Sequence, residues 1–191
     1  MRLFYAAYLS RENMDAYQAL VDGLIQRVPG VLRSIPNRTH HLTLAFLGEI
    51  AESDLEKCSA AIDAVEGCEA FEYSLGRPSL LLGRGRPRLI RVGVTRGSDR
   101  VSKVQAALVS SVSEQITSID TRFKPPHITL ARFKKNARRS QARQVETAVA
   151  RHDTPLPQRG HFSCLQLVKS TLTPSGPIYE TLHEVHLAVG S

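Results

Sequence analysis

The sequence predicts a mixed fold of strands and helices built from two similar halves. Three observations predict it. Apolar residues switch between strand and helix spacing along the chain, in an order that runs twice. The pentapeptide His41-Leu42-Thr43-Leu44-Ala45 returns 86 residues later as His127-Ile128-Thr129-Leu130-Ala131. The length of 191 residues suits one domain or two small lobes sharing a cleft.

The elements follow in order. Residues 2–9 are mostly apolar and read as a buried strand. Met14, Tyr17, Leu20, Val21, Leu24, Ile25 and Val28 recur at helical spacing, and Pro29-Gly30 ends that helix. Residues 40–47 alternate as a strand closed by Gly48, and Ser53 is placed to cap a helix carrying Leu55, Cys58, Ile62 and Val65. Strands are predicted at 69–75 and 78–82, with a turn over Gly83-Arg84-Gly85-Arg86-Pro87. The second half repeats this order. A strand at 88–95 precedes a helix opened by Ser98 or Asp99 and carrying Val101, Val104, Leu108 and Val112. Pro125-Pro126 precedes a strand at 127–132, then a polar, basic helix over 136–151 and a strand at 161–169. A turn over Thr173-Pro174-Ser175-Gly176-Pro177 leads to a last strand near 178–187.

Composition narrows the function. Hydrophobic residues make up 42% of the chain and charged residues 23%, which supports a core and argues against wholesale disorder. No apolar run approaches the roughly 18 residues that span a bilayer, and the start of the chain reads as a strand rather than a secretory leader. Lys and Arg number 25 against 18 Asp and Glu, a net charge of +7. That surplus favours an anionic partner: nucleic acid, a phosphate ester or a membrane surface. Three cysteines, Cys58, Cys68 and Cys164, form neither an even set nor a C-x-x-C pair. They fit reduced thiols in a cytoplasmic protein and indicate no zinc site. Nothing in the sequence calls for an obligate protein partner.

The repeat carries the chemistry. On a strand, side chains two apart share a face. Each repeat therefore presents an imidazole beside a hydroxyl on one face, with Leu42 and Leu44, or Ile128 and Leu130, on the other. Two such units brought together about a pseudo-twofold axis place His41, Thr43, His127 and Thr129 in one cleft. Imidazole titrates near neutral pH, so one ring takes a proton from water while the other gives one to a leaving group. Two hydroxyls donate hydrogen bonds to phosphoryl oxygens as their charge grows. This arrangement requires no metal.

In their settings, His41-Leu-Thr-Leu-Ala-Phe-Leu-Gly48 and Pro126-His-Ile-Thr-Leu-Ala-Arg132 resemble the paired motifs of the 2H phosphoesterases. Arg2-Leu3-Phe4, Pro87-Arg88 and the closing pattern Leu165, Leu167, Ser170, Gly176-Pro177 and Tyr179 resemble one branch, the RNA 2′,3′-cyclic phosphodiesterases or 2′–5′ RNA ligases. The resemblance runs over nearly all of residues 1–191. It implies a single bilobal α+β domain, each lobe an antiparallel sheet facing a central cleft, with helices outside. It implies cofactor-free hydrolysis of a 2′,3′-cyclic phosphate, on RNA 3′ ends or nucleotides, to a 2′-phosphomonoester. His127 is then the base on water and His41 the acid to the leaving 3′-oxygen, with the reverse pairing left open by pseudo-symmetry. Thr43 and Thr129 hold the phosphate. Two features depart from the branch: Thr39-His40 stands where many members have Asn-Leu, and the chain has no tryptophan. Both bear on how the base or ribose is held. The alternatives are a nucleotide- or RNA-binding module without turnover, an RNA ligase, or another cyclic phosphodiesterase.

Other residues are weaker candidates. Phe46 is placed to stack on a nucleobase and Arg132 to bind phosphate. Each is five positions from its histidine, however, and an unbroken strand turns both to the apolar face. Tyr179 and Ser170 are further binding candidates. His40 points away from His41 and reads as structural or at the rim, while His183 and His186 fall on opposite faces of a strand. Basic residues gather at Arg84, Arg86, Arg88 and Arg91, and again at Lys124, Arg132, Lys134, Lys135, Arg138 and Arg139. The second group flanks a His-x-Thr strand and suggests a path for an RNA end.

Overall fold

The structure is a computed structural model that describes residues 1–35, 39–65, 67–83, 85–116, 119, 125–174 and 176–188. Arg84, Lys124 and Ser175 of the sequence reading lie outside the described residues. Among the described residues, ten strands and four helices alternate along the chain: β1 (Arg2–Tyr8), α1 (Arg11–Arg27), β2 (Leu32–Ser34), β3 (His41–Glu49), α2 (Leu55–Asp63), β4 (Phe71–Leu75), β5 (Ser79–Gly83) and β6 (Arg86–Arg96). There follow α3 (Ser98–Ser113), β7 (His127–Phe133), α4 (Arg139–Ala150), β8 (Arg159–Phe162), β9 (Cys164–Thr173) and β10 (Gly176–His186).

The strands join as one curled antiparallel sheet in the order β10-β9-β1-β3-β7-β6-β4-β8, with β2 beside β7 and β5 beside β6. The two halves of the chain meet where Leu42 of β3 pairs with Ile128 of β7. The halves also exchange elements. β4 comes from the first half and pairs with β6, whereas β9 comes from the second half and pairs with β1. Likewise α1 packs on β2, β7 and α4, while α3 packs on β3 and α2. Each half of the sheet is thus completed by the other half of the chain.

Burial explains the pairing of faces. Leu42, Leu44, Leu47, Ile128 and Leu130 are buried in one core with Tyr17, Leu20, Val21 and Leu24 of α1 and Val101, Val104, Leu108 and Val112 of α3. Burying side chains of this size contributes about 1.5–3 kcal/mol each. Polar ties fix the helices. Asn13 on α1 donates from Nδ2 to the Tyr73 hydroxyl at 3.0 Å and to the Arg159 carbonyl at 2.9 Å. A small second cluster of Phe4, Ala6 and Val168, joined by Tyr8, Phe46 and Tyr179, lies on the opposite, cleft face.

Several boundaries differ from expectation. Ser53 falls inside a 3-10 turn, Glu52–Asp54, and Asp54 caps α2 without a side-chain hydrogen bond. Helix α3 is entered through Gly97 at φ +82°, with Ser98 as its first residue. A Cβ on Gly97 would stand 2.5 Å from the Glu72 carbonyl oxygen, so glycine meets two demands there. The predicted strand at 161–169 is two strands, because the chain leaves β4 at Phe162 and joins β1 and β10 from Cys164 onward. The three-residue β2 is too short to show a period in the sequence.

Candidate active site

The two His-x-Thr units lie side by side. Since Leu42 pairs antiparallel with Ile128, the residues on either side bring His41 opposite Thr129 and Thr43 opposite His127. Directly opposed residues share a face, so all four sit on the face away from the helices. His41 and Thr129 both line a cavity of about 140 Å³, with Thr43, Phe46, Arg132, Ser170 and Tyr179. His127 stands outside that lining, across from Thr43 by register.

Phe46 and Arg132 face the cleft, contrary to the unbroken-strand expectation. The reason is a pair of matching bulges. On β1, Tyr5 pairs with Ala45 and Ala6 with Thr43, which leaves Leu44 as an extra residue. On β6, Ile90 pairs with Ala131 and Arg91 with Thr129, which leaves Leu130 extra. Each bulge reverses the alternation beyond it. Leu44 and Ala45 are both buried, as are Leu130 and Ala131, and the next residue turns to the cleft. The repeat therefore preserves an irregularity as well as a motif. On the neighbouring strands the offset is 85 rather than the 86 that separates the two pentapeptides: Ile90 corresponds to Tyr5 and not to Phe4.

Both imidazoles are held the same way. His41 Nδ1 lies 2.7 Å from the Thr39 carbonyl, and His127 Nδ1 lies 2.9 Å from the Pro125 carbonyl. A carbonyl only accepts, so Nδ1 carries the proton on each neutral ring and Nε2 is the basic atom. The surroundings then diverge. His41 stacks on Phe4 at 5.0 Å, lies 5.4 Å from Tyr8 and meets Tyr179 edge-on at 5.4 Å between ring centres. Its cross-strand neighbour on β1 is Tyr8, whereas that of His127 on β6 is Gly93. Burial pushes His41 down to about 4; the Thr39 carbonyl opposes that shift, while His40 and Arg132 reinforce it. Burial raises the Tyr179 hydroxyl, with Arg132 and Arg2 pulling the other way. The phenol therefore remains a donor at neutral pH.

His40 is fully buried, a structural position and not a rim one. Burial lowers its pKa, against the Leu130 carbonyl and Asp22. His183 turns to the helix face, where its Nε2 lies 2.6 Å from Asp63. His186 pairs with Cys164 across the two strands on the other face. Ligand atoms of Cys164, Glu184 and His186 lie within 4.8 Å of one another, at the end of β9 away from Ser170. The sequence reading had no signal for that grouping, because it arises across strands.

The sequence reading also missed Arg2, Phe4 and Tyr8. Arg2 lies over the Phe46 ring at 4.6 Å, and Phe4 lines the cavity. The strand β1 is buried on both faces, so its apolar run conceals which residues face the cleft. Residue parity from a known cleft residue, had one been available on β1, is the signal that separates Phe4, Ala6 and Tyr8 from Leu3, Tyr5 and Ala7.

Comparison with known proteins defines the class. A family profile described as the 2′-5′ RNA ligase superfamily matches residues 25–172, and the chain belongs to that superfamily. Among individual relatives, a Thermus thermophilus protein named RNA 2′,3′-cyclic phosphodiesterase is 31% identical, over 98% of this chain and 90% of its own length. A Thermotoga maritima protein of the same name is 28% identical, over 100% of this chain and 97% of its own. The crystal structure of a Thermus thermophilus protein, TT0787, superposes with a TM-score of 0.76 at 28% identity, covering all of both chains. Among the described residues no helix is long and apolar enough to cross a membrane.

Proposed function

We propose that residues 1–191 form a single bilobal domain that hydrolyses 2′,3′-cyclic phosphates of RNA 3′ ends or nucleotides to 2′-phosphomonoesters. The observation that carries this reading is the duplicated, bulged His-x-Thr strand pair, with both imidazoles oriented alike. The names of the relatives support the same activity class. The thiols are free, which fits a cytoplasmic place of action.

In the reaction, His127 Nε2 takes a proton from water as the water oxygen attacks phosphorus. The bond from phosphorus to the 3′-oxygen breaks, and His41 delivers a proton from Nε2 to that oxygen. The products are a 2′-phosphomonoester and a free 3′-hydroxyl. Thr43, Thr129 and Arg132 donate to the non-bridging oxygens, whose charge rises in the transition state. No step calls for a metal ion.

The asymmetry of the cleft supports this division of labour. The leaving oxygen remains on the ribose, and the water approaches from the opposite side. His41 shares its cavity with Phe46 and Tyr179, surfaces suited to a base and sugar. His127 lies outside that wall, on the side suited to water. His41 is neutral in the free protein, so it acquires its proton once the anionic phosphate offsets the burial that depresses it.

The decisive experiment incubates the protein with 2′,3′-cyclic nucleotides and with RNA oligomers ending in a cyclic phosphate. The position of the product phosphate is then determined. A 2′-phosphate from the native protein and none from His41→Ala or His127→Ala is the expected result. Binding without turnover points to the module alternative, and a 3′-phosphate product overturns the proposed leaving group.

A further inference from the structure

A second cavity, of about 400 Å³, lies beyond the cleft. Its charged lining residues are Arg86, Lys135, Arg138 and Arg139, and no carboxylate is among the described lining residues. In the sequence these belong to separate clusters, one in the β5–β6 hairpin and one between β7 and α4. The fold brings them together. Arg139 donates from Nε to the Gly85 carbonyl at 3.0 Å, which ties the hairpin to the start of α4. Gly85 has φ +72°, and a Cβ there would meet the Arg139 guanidinium at 2.7 Å.

The placement of charge works against the helix. The first turn of a helix favours acidic residues, because its free N–H groups carry partial positive charge. Here α4 has no acidic residue in its first turn; Arg138 is its N-cap, with its N–H donated to Gln141 Oε1 at 2.9 Å, and Arg139 is its first residue. Cations at that end weaken the helix unless an anion sits over them. The cavity also adjoins the catalytic strand. Lys135 follows Arg132 by three residues, in the turn just past the end of β7 at Phe133, and Arg132 lines the catalytic cavity.

We infer that this cavity binds a backbone phosphate of an RNA strand upstream of its 3′-terminal nucleotide. The inference rests on the proposed activity and deepens it: the preferred substrate is a polynucleotide end, because a mononucleotide reaches only the cleft. The path runs from the cyclic phosphate at Thr129 past Arg132 to Lys135 and Arg86.

The test compares the native protein with the double variant Arg86→Ala/Lys135→Ala. A control, Arg100→Ala/Lys103→Ala, removes the same charge from the exposed face of α3. Arg139 is left in place because it holds the hairpin. With an RNA hexamer ending in a 2′,3′-cyclic phosphate, kcat/KM of the double variant falls about tenfold near 0.1 M salt, and its log–log salt slope becomes shallower by about one. With a 2′,3′-cyclic mononucleotide, kcat/KM stays at the native value. The control behaves as native on both substrates. Equal loss on both substrates, no loss on the hexamer, or an equal loss in the control overturns the inference. Fluorescence anisotropy with a hexamer bearing a terminal 2′-phosphate reads the cavity without turnover. If the native protein hydrolyses neither substrate but the double variant still binds this hexamer more weakly, the proposed activity fails and the phosphate site stands. If both proteins bind it alike, the site fails.

Discussion

At the scale of single residues, the two repeats share geometry and have diverged in chemistry. Phe46 occupies in one lobe the place that Arg132 occupies in the other, and Tyr8 and Gly93 flank the two histidines. One side of the cleft is rich in aromatic rings, with Arg2 over Phe46, and the other presents Arg132. Under the proposed mechanism, replacing either histidine with Ala should lower the rate by about 10²–10⁴, while the melting curve remains cooperative. Full activity in either variant excludes the two-histidine mechanism. Phe46→Ala should raise KM for nucleotides by roughly the 1–3 kcal/mol of a base stack, with kcat little changed; an unaltered KM would show that the base lies elsewhere. The low pKa of His41, about 4 in the free protein, has two consequences for pH. An acid must be protonated, so activity falls as pH rises through its pKa. The profile of kcat/KM reports the free protein and that of kcat the complex. The alkaline fall should therefore lie at higher pH in kcat than in kcat/KM, and coincident falls would count against His41 as the acid. Stability has the corresponding sign. Between the ordinary histidine value near 6.5 and about 4, the unfolded chain binds a proton that folded His41 does not, so stability is lost as pH falls through that window. Denaturant midpoints at pH 7 and pH 4.5 should differ less for His41→Asn than for the native protein.

At the scale of elements, the bulges decide what the strands present. Without the extra residue at Leu130, Arg132 would turn into the core beside α1. Deleting Leu130 should abolish activity although His127 and Thr129 remain, and hydrolysis at the native rate would show that the bulge is incidental. Leu130→Ala keeps the register but removes a fully buried side chain, a loss of about 2–5 kcal/mol, measurable by denaturant unfolding. Both bulges follow directly from pairing with β1 and β6, and so they could not be read from β3 or β7 alone. The notation His-x-Thr is legible in sequence because period 2 is local. The reversal that brings Phe46 and Arg132 to the same cleft is not, because a bulge is defined only by the partner strand.

At the scale of the molecule, exchange between the halves holds the cleft together. β9 and β4 each cross to the other half of the sheet, so neither half of the chain completes its own sheet. Gly97 sits at one such junction, 2.5 Å from the Glu72 carbonyl were it to carry a Cβ. Gly97→Ala should cost about 1–3 kcal/mol through its positive φ and that clash, read as a lowered unfolding midpoint. The whole-molecule charge of +7 is partly gathered on the β6, β7 and α4 side of the cleft. Hydrolysis should persist in excess chelator. Activity lost to the chelator and restored by added divalent metal would contradict the reaction drawn from the two histidines.

By itself the sequence determined the alternation of strands and helices and the duplicated His-x-Thr units, and it suggested the acid–base chemistry proposed above for two imidazoles and two hydroxyls. These are local properties: period, spacing and side-chain type. Only the tertiary structure decided that Phe46, Arg132 and Tyr179 share a cavity with His41, that Phe4 and Tyr8 enclose that ring, and that two distant basic clusters form one pocket. Each of those depends on strand register, on a bulge or on a contact between remote segments. Such features are set by which strand lies alongside, and a linear pattern of residues does not contain them.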